Sequence, residues 1–257
     1  MIPFFTLFKR EIARFMKVIV QTVVTPFVSS FLYLLIFGVS LGSTMPAHQG
    51  VQYLAFLIPG LMMMGLINNA FQNSSSSIVS SKFSGDLEDL RVAPISDQSI
   101  IWAMSLASVV RGCFVALITY LVGSTFMLYQ EGHWLPVQHP FITLFFMLMA
   151  GLIFGMIGIS IAFWATTFDQ LSAFSAFILL PLTYLGGVFL SIENLHPFWQ
   201  MVSRFNPLLY LINGLRFGVL GVSDVGIGTS FVVSLLGFAV FYLTALVSLK
   251  KGSFQRW

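Results

Sequence analysis

Apolar residues fall into six long runs separated by short polar or proline-bearing intervals. A helix needs about 20 apolar residues to cross the hydrocarbon core of a bilayer. The pattern predicts spans at 18–41, 53–79, 100–129, 141–164, 171–190 and 229–249. Pro26, Pro59 and Pro181 lie inside three of them, a break that membrane helices tolerate when neighbours satisfy the freed carbonyls. Ahead of the first span, Phe4, Phe8, Ile12, Phe15 and Ile19 recur at helical spacing, with Lys9, Arg10, Arg14 and Lys17 mainly on the opposite side. That is the pattern of a basic amphipathic helix lying in the membrane interface. A plain flank that orients the first span is the simpler alternative.

Composition agrees with the pattern. The 257 residues are 57% apolar and only 8% charged, against about 25% charged in soluble domains. So few charges cannot cover a soluble fold, which excludes a soluble enzyme, a disordered chain and a disulfide scaffold. A porin-like barrel would alternate polar and apolar positions; 28 Phe and 12 Met suit a helical bundle better. Cys113 is the single cysteine, so no intrachain disulfide can form. The net charge of +3 is too small and scattered for nucleic-acid binding.

Charge also sets the topology. Lys9, Arg10, Arg14, Lys17, Lys82, Arg91, Lys250, Lys251 and Arg256 fall on one face of a six-span layout, nine of the twelve basic residues. Arg204 and Arg216 fall in the longest loop of the other face. The positive-inside rule then places both termini in the cytoplasm. The chain reads as an interfacial helix over 1–17 and a membrane domain over 18–257.

Two connecting segments are unusual. In the loop 80–98, the run Gly85-Asp-Leu-Glu-Asp-Leu-Arg-Val-Ala-Pro94 predicts a short helix. Ser84 is the candidate N-cap, acids fill the first turns, and Pro94 stops it. Leu87 and Leu90 form one apolar side, and Asp86, Glu88 and Asp89 lie around it. Such a ridge suits a cytoplasmic partner, though a capped connector has the same pattern. The segment 191–228 is too apolar for a free loop. Asn206-Pro207 divides it, and Phe198 and Trp199 suit an interface. It predicts two short helices that dip into the outer leaflet without crossing.

Leu180-Pro-Leu-Thr-Tyr-Leu-Gly-Gly-Val-Phe189, Pro197-Phe-Trp199, Asn206-Pro-Leu-Leu-Tyr210 and Gly214-Leu-Arg216 together resemble the permease subunits of ABC-type-2 exporters. The 85–94 run resembles their coupling-helix region, and Ile58-Pro-Gly-Leu-Met62 their second span. The closest likeness is to bacterial inner-membrane permeases for lipo-oligosaccharide, polysaccharide and drug export. The resemblance implies an all-α, six-span membrane protein that works as a dimer with two separate ATPase subunits. Nucleotide and magnesium would then sit on those partners, with no cofactor in this chain. It also implies that Gly85, Asp86, Leu87, Glu88, Asp89, Leu90, Arg91 and Pro94 couple the permease to its ATPase. Gly186, Gly187, Asn206, Pro207, Tyr210 and Arg216 would shape the outer re-entrant motif.

No Walker A loop is present, so nucleotide hydrolysis by this chain alone is not expected. His48, His133, His139 and His196 are scattered, and none pairs with a carboxylate or Cys at metal-binding helical spacing. Arg111 is the ionisable residue inside a span; holding it at mid-bilayer would cost about 2.5–3.5 kcal/mol. It either snorkels to the headgroups or belongs to a polar path. Asn68, Asn69, Gln72 and Asn73 either line such a path or bond across helices. Gly151, Gly155 and Gly158 predict close helix packing. A stand-alone secondary transporter or channel remains the alternative, and an enzyme acting on lipid-linked sugars a third reading. The exported substrate is not legible.

Overall fold

The computed structural model describes residues 2–40, 42 and 49–252, apart from the side chains of Ile2, Gln21, Asp89 and Arg91. His48 and Arg256 lie outside the described residues. Among those described, every regular element is helical. Six helices are long and apolar enough to cross a membrane.

Helix α1 (Ile2–Met16) precedes α2 (Ile19–Tyr33), which continues as a π-helix over Leu34–Ser40 to complete the first span. Helix α3 (Tyr53–Ser84) is the second span, α4 (Asp86–Val92) the short loop helix, and α5 (Asp97–Glu131) the third span. Helix α6 (Pro140–Trp164) is the fourth. The fifth is composite: α7 (Phe168–Phe174), a π-helix over Ser175–Leu179, and α8 (Leu180–Leu185). Helices α9 (Pro197–Arg204) and α10 (Pro207–Leu220) follow, and α11 (Ile227–Lys251) is the sixth span.

All six predicted spans are present, with shifted ends. The second runs on through the polar residues Ser80, Ser81 and Lys82 to Ser84. The fifth stops at Leu185, because Gly187 takes a left-handed conformation (φ 82°) and turns the chain. A side chain at Gly186 would have to displace Ile212, whose Cδ1 lies 2.7 Å from where a Cβ would sit.

Helix α3 is the hub, packed between α5 and α6, with α10 wedged against α6, α11 and α3. Lipid is as apolar as a leucine side chain, so burial alone does not bring spans together; close approach and interhelical polar contacts do. Gly151 and Gly155 abut Val109, Ser105 and Ser108 of α5, while Gly158 abuts Phe71 and Ser74 of α3. The glycines of the fourth span thus seat it in the groove between both neighbours, as their spacing predicts. Ser74 Oγ closes the seam by donating to Gly155 O at 2.7 Å. The most apolar-exposed spans are the first, fifth and sixth: only 22%, 17% and 22% of their span windows are buried, against 78% for the second. Their outward faces are free for lipid or another chain.

Helix α1 packs against α5 with a face displaced from the expected one. Leu7, Glu11 and Phe15 form the buried stripe, while Phe4, Phe8 and Ile12 are only half-buried. Periodicity missed Glu11 because a carboxylate does not count toward an apolar stripe. It can be buried because Arg10 Nη2 lies 3.1 Å from its Oε1 and Arg14 Nε lies 3.2 Å from its Oε2. Arg14 also reaches α3, donating to Asn73 O, to Asn73 Oδ1 at 3.2 Å and to Ser76 Oγ at 3.2 Å. Glu11→Gln should therefore loosen α1 without unfolding the bundle. Both guanidiniums are about a third or more exposed, so solvent screening limits the loss to about 1 kcal/mol. Hydrogen exchange would check it: amides of α1 should exchange several-fold faster, and those of α3 and α6 unchanged.

Candidate functional site

Three groups of sequence-selected residues occupy three distinct places. The first is α4. Gly85 ends α3 in the left-handed region (φ 87°), and α4 begins at once. Ser84 is the last residue of α3 rather than a cap bonded to a backbone N–H; its hydroxyl donates to Asp86 Oδ2 at 2.7 Å. A second correction matters more. Leu87 and Leu90 are 3% and 9% exposed, in one buried cluster with Leu7, Ile78, Val79, Ile100 and Phe163. They fasten α4 to the helical bundle itself and offer no knob to a partner. The exposed surface is instead Asp86, Glu88, Val92 and Pro94, with Phe83 beside it stacked on Phe168 at 5.6 Å between centroids. Pro94 ends the helix as expected. The side chains of Asp89 and Arg91 lie outside the description.

Lys82 anchors this corner. Charge bookkeeping places it in a solvated loop, yet it is fully buried. Its Nζ donates to the carbonyls of Ala162, Phe163 and Ala165 at 2.8, 2.8 and 3.1 Å. Those carbonyls close the C-terminal end of α6, where the helix dipole favours a cation. The C-terminal ends of the second and fourth spans are thereby tied together directly beside α4.

The second place is a polar cleft of about 250 Å³ between α2, α3 and α5. Asn68, Asn69, Gln72 and Arg111 line it, joined by Thr25, Ser29, Ser30 and Tyr33. Three of the four amides therefore share the cleft with Arg111. Asn68 and Asn69 turn their Nδ2 groups back onto Met64 O and Gly65 O, both at 3.0 Å. Ser175 of the fifth span donates to Asn68 Oδ1 at 3.4 Å. Asn73 separates from this set: it is fully buried, donates to Ser108 Oγ at 3.3 Å, and receives Arg14. Arg111 is half-buried and its Nε has no hydrogen-bond partner. One π-helical segment, Leu34–Ser40, ends the first span just beyond Tyr33 of the cleft, and another, Ser175–Leu179, interrupts the fifth span. Such segments mark weakened ladders and recur at functional places.

The third place is the 191–228 segment. It forms two short helices, α9 and α10, joined at Asn206-Pro207, and its ends meet: Ile192 N donates to Asp224 Oδ2 at 3.1 Å. Asn206 Oδ1 caps α10 by accepting from Leu208 N at 3.0 Å, and its Nδ2 donates to Leu182 O at 2.6 Å. Pro207 takes the first helical position, where no N–H is needed. Tyr210 Oη donates to Arg204 O at 2.9 Å and so braces α9 against α10. Arg216, expected in a loop, is fully buried. Its Nη2 donates to Gly187 O at 2.7 Å and its Nη1 to Asn213 Oδ1 at 3.3 Å, while its guanidinium carbon lies 3.8 Å from the Phe56 ring centre. Gly186, Gly187, Asn206, Pro207, Tyr210 and Arg216 thus form one locked structure. The burial of Arg216 was legible from its place in an apolar helix.

Of the described histidines, exposed His133 lies 3.1 Å from the largely buried Glu131 at the end of α5. No three His, Cys, Asp or Glu side chains converge among the described residues.

Comparison with known proteins places these features in context. The family model described as ABC-2 type transporter matches residues 3–220. The chain is 38% identical to the inner membrane transport permease YadH of Escherichia coli strain K12 over 247 residues, covering 96% of this chain and 94% of that one. It is 22% identical to nodulation protein J of Rhizobium leguminosarum bv. viciae over 221 residues, covering 83% and 80%.

Proposed function

The chain belongs to the ABC-2 type transporter family and is a multi-pass membrane transport permease; from that premise we propose that it is the membrane-spanning subunit of an ATP-driven exporter. Two copies form the substrate pathway, and two ABC ATPase subunits, carrying nucleotide and magnesium, drive it from the cytoplasm. Inner-membrane placement accords with the relative from E. coli, and the charge bias puts both termini on the cytoplasmic side.

The observation that carries this reading is α4. A simple connector has no need of a helix whose apolar side is sunk into the permease while carboxylates and Val92 stay exposed. Held by Leu87 and Leu90 and adjoining the buried Lys82, α4 cannot move without moving the ends of α3 and α6. An ATPase that gripped its exposed side would shift those spans. Nucleotide must favour one arrangement over the other for this to work, since equal affinity for both shifts nothing. The exposed fifth span supplies the surface for a second copy.

Copurification and turnover test the proposal. Purified alone in lipid nanodiscs, the permease should show no specific ATPase activity. Co-expressed with an ABC ATPase from the same genome, it should copurify as a two-plus-two complex whose turnover needs the permease. Robust ATP turnover by the pure chain, or vectorial transport without any ATPase, would favour a stand-alone transporter.

A further inference from the structure

We infer that the cleft between α2, α3 and α5 is a binding site for an amphiphile with an anionic head, a phosphate monoester of a long apolar chain or a long-chain carboxylate, taken from the inner leaflet. That this amphiphile is cargo rests on the exporter reading above; that it binds does not. The charge of the cleft is the first observation. Arg111 is the charged residue in the lining, no carboxylate lines it, and the Arg111 Nε is buried without a hydrogen-bond partner. Arg14 adds a second positive charge nearby. A cation kept in a low-dielectric wall without a counter-ion is costly, and an anion that brings its own charge relieves that cost.

The amide groups give the second observation. Asn68 and Asn69 spend their Nδ2 donors on their own helix, while Gln72 is exposed at the edge of the cleft. Hydroxyls of Thr25 and Ser29 lie across from them on α2. A guanidinium flanked by the Gln72 amide and the Thr25 and Ser29 hydroxyls suits a phosphate or carboxylate better than a neutral sugar.

Position supplies the third. Arg14 of α1 bonds Asn73, one helical residue beyond Gln72, so the lower end of the cleft stands at the level of the basic amphipathic helix. That is the headgroup boundary of the inner leaflet. The mouth is formed by Thr25 and Ser29, both exposed and interleaved with exposed Val24, Phe27 and Val28. A head lodged at Arg111 would leave its chain along this apolar face, without passing through water.

The test uses the full chain in a neutral maltoside detergent, with native mass spectrometry giving Kd for three probes. Dodecyl phosphate carries head and tail, inorganic phosphate the head alone, and dodecanol the tail alone. Dodecyl phosphate should bind at least about tenfold tighter than either of the others. Arg111→Gln should weaken it about tenfold, with Arg111→Lys between the two. Ser29→Trp, which blocks the mouth and leaves Arg111 in place, should lose binding with an unchanged Tm. Should Arg111→Gln fail to fold, the Ser29→Trp variant and the probe comparison decide. Equal affinity for inorganic phosphate would make this a free-anion site, and equal affinity for dodecanol an apolar crevice; either overturns the inference. So would wild-type affinity in folded Ser29→Trp or folded Arg111→Gln. Because no ATPase is present, failure here leaves the exporter reading standing, and failure of ATPase association leaves this binding result standing.

Discussion

Val92→Asp should abolish ATPase association while leaving the permease as stable as the wild type, and Leu87→Asp should do the reverse damage first. The two positions lie five residues apart on one seven-residue helix, yet Val92 is 84% exposed and Leu87 is 3% exposed. A carboxylate at Val92 remains in water, so stability should change by no more than about 0.5 kcal/mol. It would nonetheless put a charge where a partner must seat an apolar contact, and copurified ATPase should fall about tenfold or more. At Leu87 the new carboxylate would enter a cluster of Leu7, Ile78 and Val79. The loss of packing plus an unpaired buried charge should cost on the order of 3–5 kcal/mol. The helix would detach, and limited proteolysis should then cut near Gly85 in permease purified without any ATPase. Wild-type copurification by Val92→Asp would remove α4 from the docking surface. Equal proteolytic resistance of Leu87→Asp and wild type would mean that Leu87 is not holding the helix down.

Arg216→Met should be the most destabilising single change in the 191–228 segment. The guanidinium is fully buried, bonds Gly187 O and Asn213 Oδ1, and lies over Phe56. Methionine would keep most of the volume and the contact with the ring, so cavity formation is a small part of the effect. What is lost is the charge-assisted bond to Gly187 O, at the left-handed turn that ends the fifth span. Leaving that carbonyl buried without its donor, together with the loss of the cation–π contact, should cost on the order of 3 kcal/mol. Arg216→Lys should fall between the two, because an ammonium cannot serve Gly187 and Asn213 with one planar fork. Thermal unfolding in nanodiscs measures the ranking, and hydrogen exchange should show the loss concentrated in α10 and the 186–192 turn. A loss under about 0.5 kcal/mol would show that the turn holds without the arginine.

Much of this protein was legible from the chain alone, because the bilayer imposes a one-dimensional rule. A span must be long, apolar and helical whatever it packs against, so six apolar runs became six helices. Local chemistry was equally readable where it acts locally. Asn206-Pro207 caps and starts α10, and Pro94 stops α4, because capping and proline geometry need only neighbouring residues. The small residues of the fourth span pointed to close packing for a similar reason.

Tertiary structure decided what each of these residues faces. Leu87 and Leu90 would be an apolar ridge in either orientation; only the positions of Leu7, Ile78 and Phe163 turn it inward. Lys82, Glu11 and Arg216 look like solvated charges in a linear chain, and all three are buried. The partners of Lys82 and Arg216 stand far off in sequence, the end carbonyls of α6 and Gly187, whereas Glu11 is held by its adjacent Arg10 and by Arg14 one turn on. The four amides from Asn68 to Asn73 are alike in the sequence. Three line a cleft and the fourth is sealed against Ser108 and Arg14, because one further residue turns a helical side chain by about 100°. A linear pattern specifies which residues a membrane admits, whereas the pairing of buried charges depends on helix–helix register, which exists only once the bundle has assembled.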